Sequence, residues 1–264
     1  MALGPGAADG TLERAAAANQ RDWLARQAAA AGGKAVRERG VTWTVAPDAA
    51  AILFPALSGA AADRVIDGAV RAARRSGARE VSCWSALPTR PADLGERLAV
   101  RGFGLGWQAH WMARELDRLP PAPRPGGVVV DVVDPAEPWV AESLPYDDPG
   151  AAERRRALAA RRPRHVWHVA ARRDGTPVGH ATLSAGTGTF GVAGIYDVGV
   201  RPDERRRGIG RALTAAVCAL ARERGYVYAT LNATYEGELL YRALGFRSVG
   251  LAQTWWLHLP RGAP

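Results

Sequence analysis

Residues 195–220 contain the feature that most restricts how this chain can fold. Ile195–Val200, "IYDVGV", is an apolar strand candidate ended by Pro202, and after the glycines Ala212, Leu213, Ala216, Val217 and Leu220 recur at three- and four-residue intervals. The first segment suits a strand and the second has the period of a helix. Between them stands "RPDERRRGIGRAL", Arg201–Leu213, in which five arginines surround two closely spaced glycines. A strand that passes through a glycine loop into a helix N-terminus belongs to an α/β architecture.

The same segment points to an anion. The first amides of a helix have no partner within it, and the macrodipole makes that end positive, so phosphate is the natural guest. Gly208 and Gly210 are expected to let the backbone approach a phosphate closely, with the arginines adding long-range attraction. Two known phosphate loops are excluded by spacing. A dinucleotide fingerprint needs a third glycine where Leu213 stands, and a Walker loop needs Gly-Lys-Ser/Thr, which is absent.

Elsewhere strands and helices alternate. "LPPAPRPGG", Leu119–Gly127, interrupts both periods and is read as a boundary, with a linker at 121–127. Before it, residues 1–33 form a tail with a helix expected around Arg21–Ala30, and residues 34–120 read as an α/β unit. After it, strands are expected near 128–133, 165–172, 177–184, 193–200, 227–233 and 253–259. Helices are expected near 139–143, 150–161, 207–225 and 237–244, and Asp174-Gly175 signals a hairpin. Residues 92–117 and 237–259 both run helix, Gly-Phe, Trp-bearing strand, a weak internal repeat.

Arg205-Arg206-Arg207-Gly208-Ile209-Gly210, preceded by Val200 and Pro202 and followed by Ala212-Leu213, resembles the Arg-x-x-Gly-x-Gly motif of the GNAT superfamily of acyl-CoA-dependent N-acetyltransferases. "LLYRALGF", Leu239–Phe246, resembles that family's last helix and its Tyr-x-x-x-Gly-Phe ending. The resemblance covers about residues 128–264. It implies an α/β (α+β) fold of tandem GNAT-like domains, each a mixed, mostly antiparallel sheet flanked by helices. Residues 34–120 would be a degenerate copy that packs on the active one and helps wall its acceptor cleft, and 128–264 the acetyl-CoA-binding domain. The Trp-bearing strands, with Trp107 and Trp111 in one and Trp255 and Trp256 in the other, are either that contact or core packing.

The resemblance also implies roles. The loop from Arg205 through Arg206, Arg207, Gly208, Ile209, Gly210, Arg211 and Ala212 would hold the coenzyme A pyrophosphate, with the amides of Arg206 through Ala212 as donors. The backbone of Val198 and Val200 would hold the pantetheine arm. Thr234 stands where the family often has Asn, seven residues before Tyr241. Tyr241 would be the acid that protonates the departing thiolate. Asp197, which interrupts an apolar strand, is either the general base or a structural acceptor. Tyr146, Asp147 and Asp148 suit a cationic amine, and His180 either faces the substrate or is a satisfied sheet histidine.

The expected reaction is acetyl transfer from acetyl-CoA to a primary amine of a small molecule by direct attack, without a metal. The alternatives are a protein lysine or N-terminal acetyltransferase and a non-catalytic acyl-CoA-binding interaction module. The formal charge of +9 is spread along the chain and the aromatics are not interleaved with the arginines, which argues against nucleic acid. No apolar run approaches the roughly 20 residues of a membrane helix, and the N-terminus lacks the order of a secretory signal. A cytoplasmic protein that is monomeric or a homodimer is expected. Cys83 and Cys218 are the only cysteines and read as buried thiols.

Overall fold

A computed structural model describes residues 3–137, 144–146 and 150–260. In chain order the elements are α1 (Asp9–Ala30), β1 (Lys34–Glu38), β2 (Val41–Val45), β3 (Ala49–Leu53), α2 (Gly59–Ser76), β4 (Glu80–Ala86), α3 (Leu94–Ala99) and β5 (Gly104–Glu115). They continue with β6 (Val128–Val132), α4 (Ala151–Ala160), β7 (Val166–Arg173), β8 (Thr176–Ala185), β9 (Ala193–Val200) and a 3₁₀ turn (Pro202–Glu204). The last are α5 (Ile209–Glu223), β10 (Tyr228–Ala233), α6 (Tyr235–Ala243) and β11 (Arg247–His258).

The chain forms two compact units. The first comprises residues 1–19 with Trp111–Val249, and the second comprises Gln20–His110 with residues 250–264. The chain thus changes unit inside α1, β5 and β11, while the proline- and glycine-rich stretch follows β5 within the first unit.

In the first unit the strands run β10-β9-β8-β7-β6. β6, β7, β8 and β9 pair antiparallel in turn, and β9 pairs parallel with β10. The parallel step needs a crossover, which α5 supplies. Its Ile209, Leu213 and Val217 are buried in one core with Val178, Ala181 and Leu183 of β8 and Ala193 and Ile195 of β9. Leu213 is fully buried, and removing such a side chain from water contributes about 1.5–3 kcal/mol. Asp174 and Gly175 both take positive φ between β7 and β8, which matches the twist of a two-residue hairpin.

In the second unit the strands run β1-β2-β3-β4-β11, antiparallel except for β3 with β4. Again a helix makes the crossover: α2 buries Val65, Ile66, Ala69 and Ala73, a spacing of one helical face. Trp107 and Trp256 each meet Trp84 edge-on within this unit, at 5.8 and 6.5 Å. Trp255 packs against the second unit's core, whereas Trp111 is buried in the first unit.

Both units are therefore mixed, mostly antiparallel sheets with helices, as the family resemblance implies. The helix expected at Arg21–Ala30 begins instead at Asp9, so most of the supposed loose tail is helical. β1 falls outside the expected strands, and β11 starts at Arg247 rather than near Gln253. The helix expected at 139–143 lies outside the described residues.

Candidate active site

Three neighbouring parts of the first unit build the site: the outer half of β9, the loop into α5, and α6. β9 pairs with β10 only through Ala193, Gly194 and Ile195, although it continues to Val200. On its other edge β9 stays paired to β8, but the register shifts: Tyr196 faces Thr182 and Gly199 faces His180, so Asp197 and Val198 together oppose Ala181. Two residues against one make a bulge, and Asp197 takes a φ of +52° there. The bulge re-aims β9 just beyond the last residue it pairs with β10. Val198 and Val200 are half-buried against the core. The Val200 carbonyl accepts from the Arg205 guanidinium at 3.3 Å.

The loop is held from below by Glu204, a buried side chain absent from the expected site residues. Its carboxylate accepts from Arg173 at 2.9 and 3.0 Å and from Arg207 at 3.1 Å. The Arg173 hydrogen bonds hold the Glu204 carboxyl below its ordinary value, against the desolvation that would raise it. Arg201 pairs with Asp203 at 2.7 Å. The arginine run is thus divided: Arg201 and Arg207 serve the loop's own acids, while Arg205, Arg206 and Arg211 are exposed around it. A signal for Glu204 does exist in the sequence, since an acid flanked by that many arginines invites pairing.

Gly208 caps α5 with a φ of +80°, a conformation that favours glycine, and a Cβ there would meet open space. Among the described residues the amides of Arg206 to Arg211 have no acceptor, as the first amides of a helix do not. One expectation is corrected here. The Ala212 amide donates to the Gly208 carbonyl at 3.0 Å and is not available to a ligand. Gly210 also meets a packing constraint: a Cβ there would stand 3.1 Å from the Leu240 side chain of α6. Ile209 is buried and pins the helix start to the core.

α6 begins at Thr234, whose hydroxyl oxygen accepts from the Gly237 amide at 3.2 Å and so caps the helix. Further along the helix, Tyr241 is 9% exposed and meets Phe246 edge-on at 6.0 Å. Burial, and then the neighbouring Tyr146, push the Tyr241 hydroxyl well above its ordinary value, so it stays protonated. Tyr146 itself is raised first by desolvation and then by the negative charge of Asp197, with Arg205 acting in the opposite sense. These four residues form one electrostatic group. Asp147 and Asp148 lie outside the described residues.

His180 is fully buried, with Nε2 2.5 Å from the Pro145 carbonyl oxygen. Both cysteines are buried, which pushes each thiol up to about 12 and unsuits it as a nucleophile. Asn19 is a further residue that sequence reasoning does not reach. From α1 it donates to the Ser184 and Val192 carbonyls at 3.1 and 2.8 Å and accepts from the Tyr196 hydroxyl at 2.8 Å, next to the bulge. No signal in the alanine-rich helix singles it out.

Free amides at a helix start, exposed arginines and a strand that leaves its parallel neighbour define a unit that can hold a phosphorylated ligand and lay its extended part along β9. Residues 132–246 match the model of the Acetyltransferase (GNAT) family, so this segment is a GNAT-type domain. The chain is 36% identical over 172 residues to the mycothiol acetyltransferase of Thermobispora bispora, covering 57% of each. It is 37% identical over 95 residues to the N-alpha-acetyltransferase RimI of Mycobacterium tuberculosis, covering 35% of this chain and 59% of that one. The chain thus spans under three fifths of the length of each of these relatives. A tandem GNAT protein from the clavulanic acid biosynthesis pathway shares the fold, with a TM-score of 0.53, 18% identity, and 87% and 82% of the two chains covered.

GNAT acetyltransferases take acetyl-CoA as donor and act on amines. The residues here fit that donor, because the loop offers amides, an open Gly208 and cations where a pyrophosphate needs them. Among the described residues no cluster suited to a metal ion occurs, and no helix is long and apolar enough to cross a membrane.

Proposed function

We propose that the chain transfers the acetyl group of acetyl-CoA to a primary amine of a small molecule by direct attack. The observation that carries this reading is the pairing of an open amide cradle at Arg206–Arg211 with the splayed outer half of β9, in the same unit as a buried, protonated Tyr241.

Acetyl-CoA supplies an activated acyl thioester. In this reading Arg205, Arg206, Arg207, Arg211 and the loop amides bind its pyrophosphate, and the backbone at Val198 and Val200 aligns the extended arm. Thr234 lies at the start of α6, with its hydroxyl proton available to the same arm. Asp197 accepts the proton that the amine loses as its nitrogen bonds to the acyl carbon. Tyr241 donates a proton to the sulfur as the carbon–sulfur bond breaks, so the products are an amide and a thiol. Tyr146, with its exposed ring beside Asp197, suits the cationic form of the amine before it is deprotonated. Residues 34–120 are read as a copy of the fold without a cofactor loop.

The match to mycothiol acetyltransferase supports a small-molecule amine. The match to RimI favours a second reading, in which the acceptor is a protein N-terminus. Calorimetric titration of acetyl-CoA, followed by a CoA-release assay with small amines and with N-terminal peptides, separates these. Micromolar binding with release on small amines is expected. Release on peptides alone would install the second reading, and binding without release on either would make the chain an acyl-CoA-binding module.

A further inference from the structure

His180 ties the segment before α4 to the reaction strand. It lies on β8 with Gly199 of β9 as its register partner. Its Nε2 is 2.5 Å from the Pro145 carbonyl oxygen. A carbonyl only accepts, so Nε2 carries the proton and the tautomer is fixed. His168 meets the ring edge-on at 5.3 Å, and burial holds His168 well below its ordinary value, so the neighbour on that side is uncharged.

Gly199 makes the bond possible. A Cβ at that position would stand 3.0 Å from both the His180 Nε2 and the Pro145 carbonyl oxygen. Glycine inside a strand weakens it and commonly marks a close backbone approach, which is what happens here. The turn that Pro145 belongs to needs holding. Tyr146 has a φ of +64°, a conformation that costs a non-glycine residue on the order of 1–3 kcal/mol and persists only where the surroundings impose it. Leu144, buried at 5% exposure, anchors one side, and the His180 bond supplies the other.

We propose that His180 is a positioning residue for the acceptor site: its hydrogen bond to Pro145 pins the Leu144–Tyr146 turn over β9 at Gly199 and so keeps the Tyr146 ring beside Asp197 and Tyr241. What the ring does there rests on the function proposed above. The pinning itself does not, because it is a property of the free protein.

The test uses the full chain with 3-fluorotyrosine at its six tyrosines, the Tyr146 resonance being identified by its loss in Tyr146→Phe. In the parent chain that resonance should titrate above free 3-fluorotyrosine and shift in Asp197→Asn. In His180→Leu it should move towards the free 3-fluorotyrosine position and its midpoint should fall towards that of free 3-fluorotyrosine, while the resonances of Tyr196, Tyr226, Tyr228 and Tyr235 stay. His180→Gln, which keeps an amide donor at the same reach, should restore most of the parent signal. An unmoved Tyr146 resonance in His180→Leu would overturn the proposal. So would a collapse of all six resonances that Gln fails to restore, since His180 would then serve packing alone. Acetyl-CoA calorimetry on the same variants should give dissociation constants within about twofold of the parent, because the cradle is separate from the turn. Absence of acetyl-CoA binding in the parent would remove the proposed function and leave the fluorine result standing.

Discussion

β9, α5 and β10 in the first unit and β3, α2 and β4 in the second follow one path: a strand, a loop, a helix, and a return strand parallel to the first. The second version is closed. β3 pairs with β4 along its whole length, from Ala49 with Glu80 to Leu53 with Trp84, and the next amide, Phe54, still donates to the Trp84 carbonyl at 2.6 Å. The start of α2 is covered by an arginine from the α3 region, which pairs with an acid further along the helix. Asp63 and Asp67 are bridged by Arg97 and Arg101 of the α3 region, and a Cβ on Gly59 would overlap the Arg97 guanidinium. In the first unit the parallel pairing stops after three residues, and a Cβ on Gly208 at the start of α5 would meet open space. The same topology thus leaves an open helix start and parted strands in one unit and closes both in the other, which is the difference the proposed function rests on.

The sharpest way to break this comparison is a pair of matched carboxylates. Gly208→Asp places one at the open cradle and should weaken acetyl-CoA binding about a hundredfold, about 2.7 kcal/mol. Ser58→Asp, at the cap of α2, should leave the dissociation constant unchanged, and calorimetry on both variants reads the difference. A loss of binding in Ser58→Asp would mean that the closed version is not closed.

Chemistry should depend on the open version as well. Tyr241→Phe is expected to lower kcat by roughly ten- to hundredfold with acetyl-CoA affinity unchanged. Because burial raises the Tyr241 hydroxyl above its ordinary 10, the acid stays protonated throughout the working range. The kcat profile of the parent should then show no alkaline limb from this group below about pH 10. An alkaline limb near neutrality that disappears in Tyr241→Phe would refute the assignment.

Glu204 extends the contrast to the way each loop is held. Its folded value lies below the ordinary 4.5, so its contribution to stability is complete above about that pH and is lost as pH falls through the folded value. Glu204→Gln should therefore melt a few degrees lower at about pH 7, with the gap closing in acid, and should also weaken acetyl-CoA binding. Asp63→Asn in the second unit should lower the melting temperature without touching the ligand.

The smallest effects concern glycines within the two helices. At Gly68 of α2 an added methyl carbon would have nothing within 4 Å, so Gly68→Ala should stabilise by about 0.5–1 kcal/mol in urea melts. Gly210→Ala should gain nothing, because the added carbon meets Leu240 at 3.1 Å.

The parts of the molecule that are legible in sequence are those set by neighbours in the chain. β9, α5 and the Asp174-Gly175 hairpin follow from period and turn chemistry, and the Tyr241 helix from its Gly-Phe ending. What escapes is set by partners distant in sequence. The bulge at Asp197 arises from register against Ala181, and nothing in "IYDVGV" marks it. The contact that a Cβ on Gly210 would make with Leu240 is hidden in the same way, because Leu240 lies on another helix. Gly199 looks like an ordinary strand residue until His180 and Pro145 are brought to it.

Asn19 gives the molecule an order in time. Its partners Ser184, Val192 and Tyr196 follow it by 165, 173 and 177 residues. At the roughly 5–20 residues per second of synthesis, this amide is made some ten to thirty seconds before the groups that satisfy it. The bulged strand therefore meets an already emerged helix, and the last polar lock beside Asp197 closes between the early and late ends of translation.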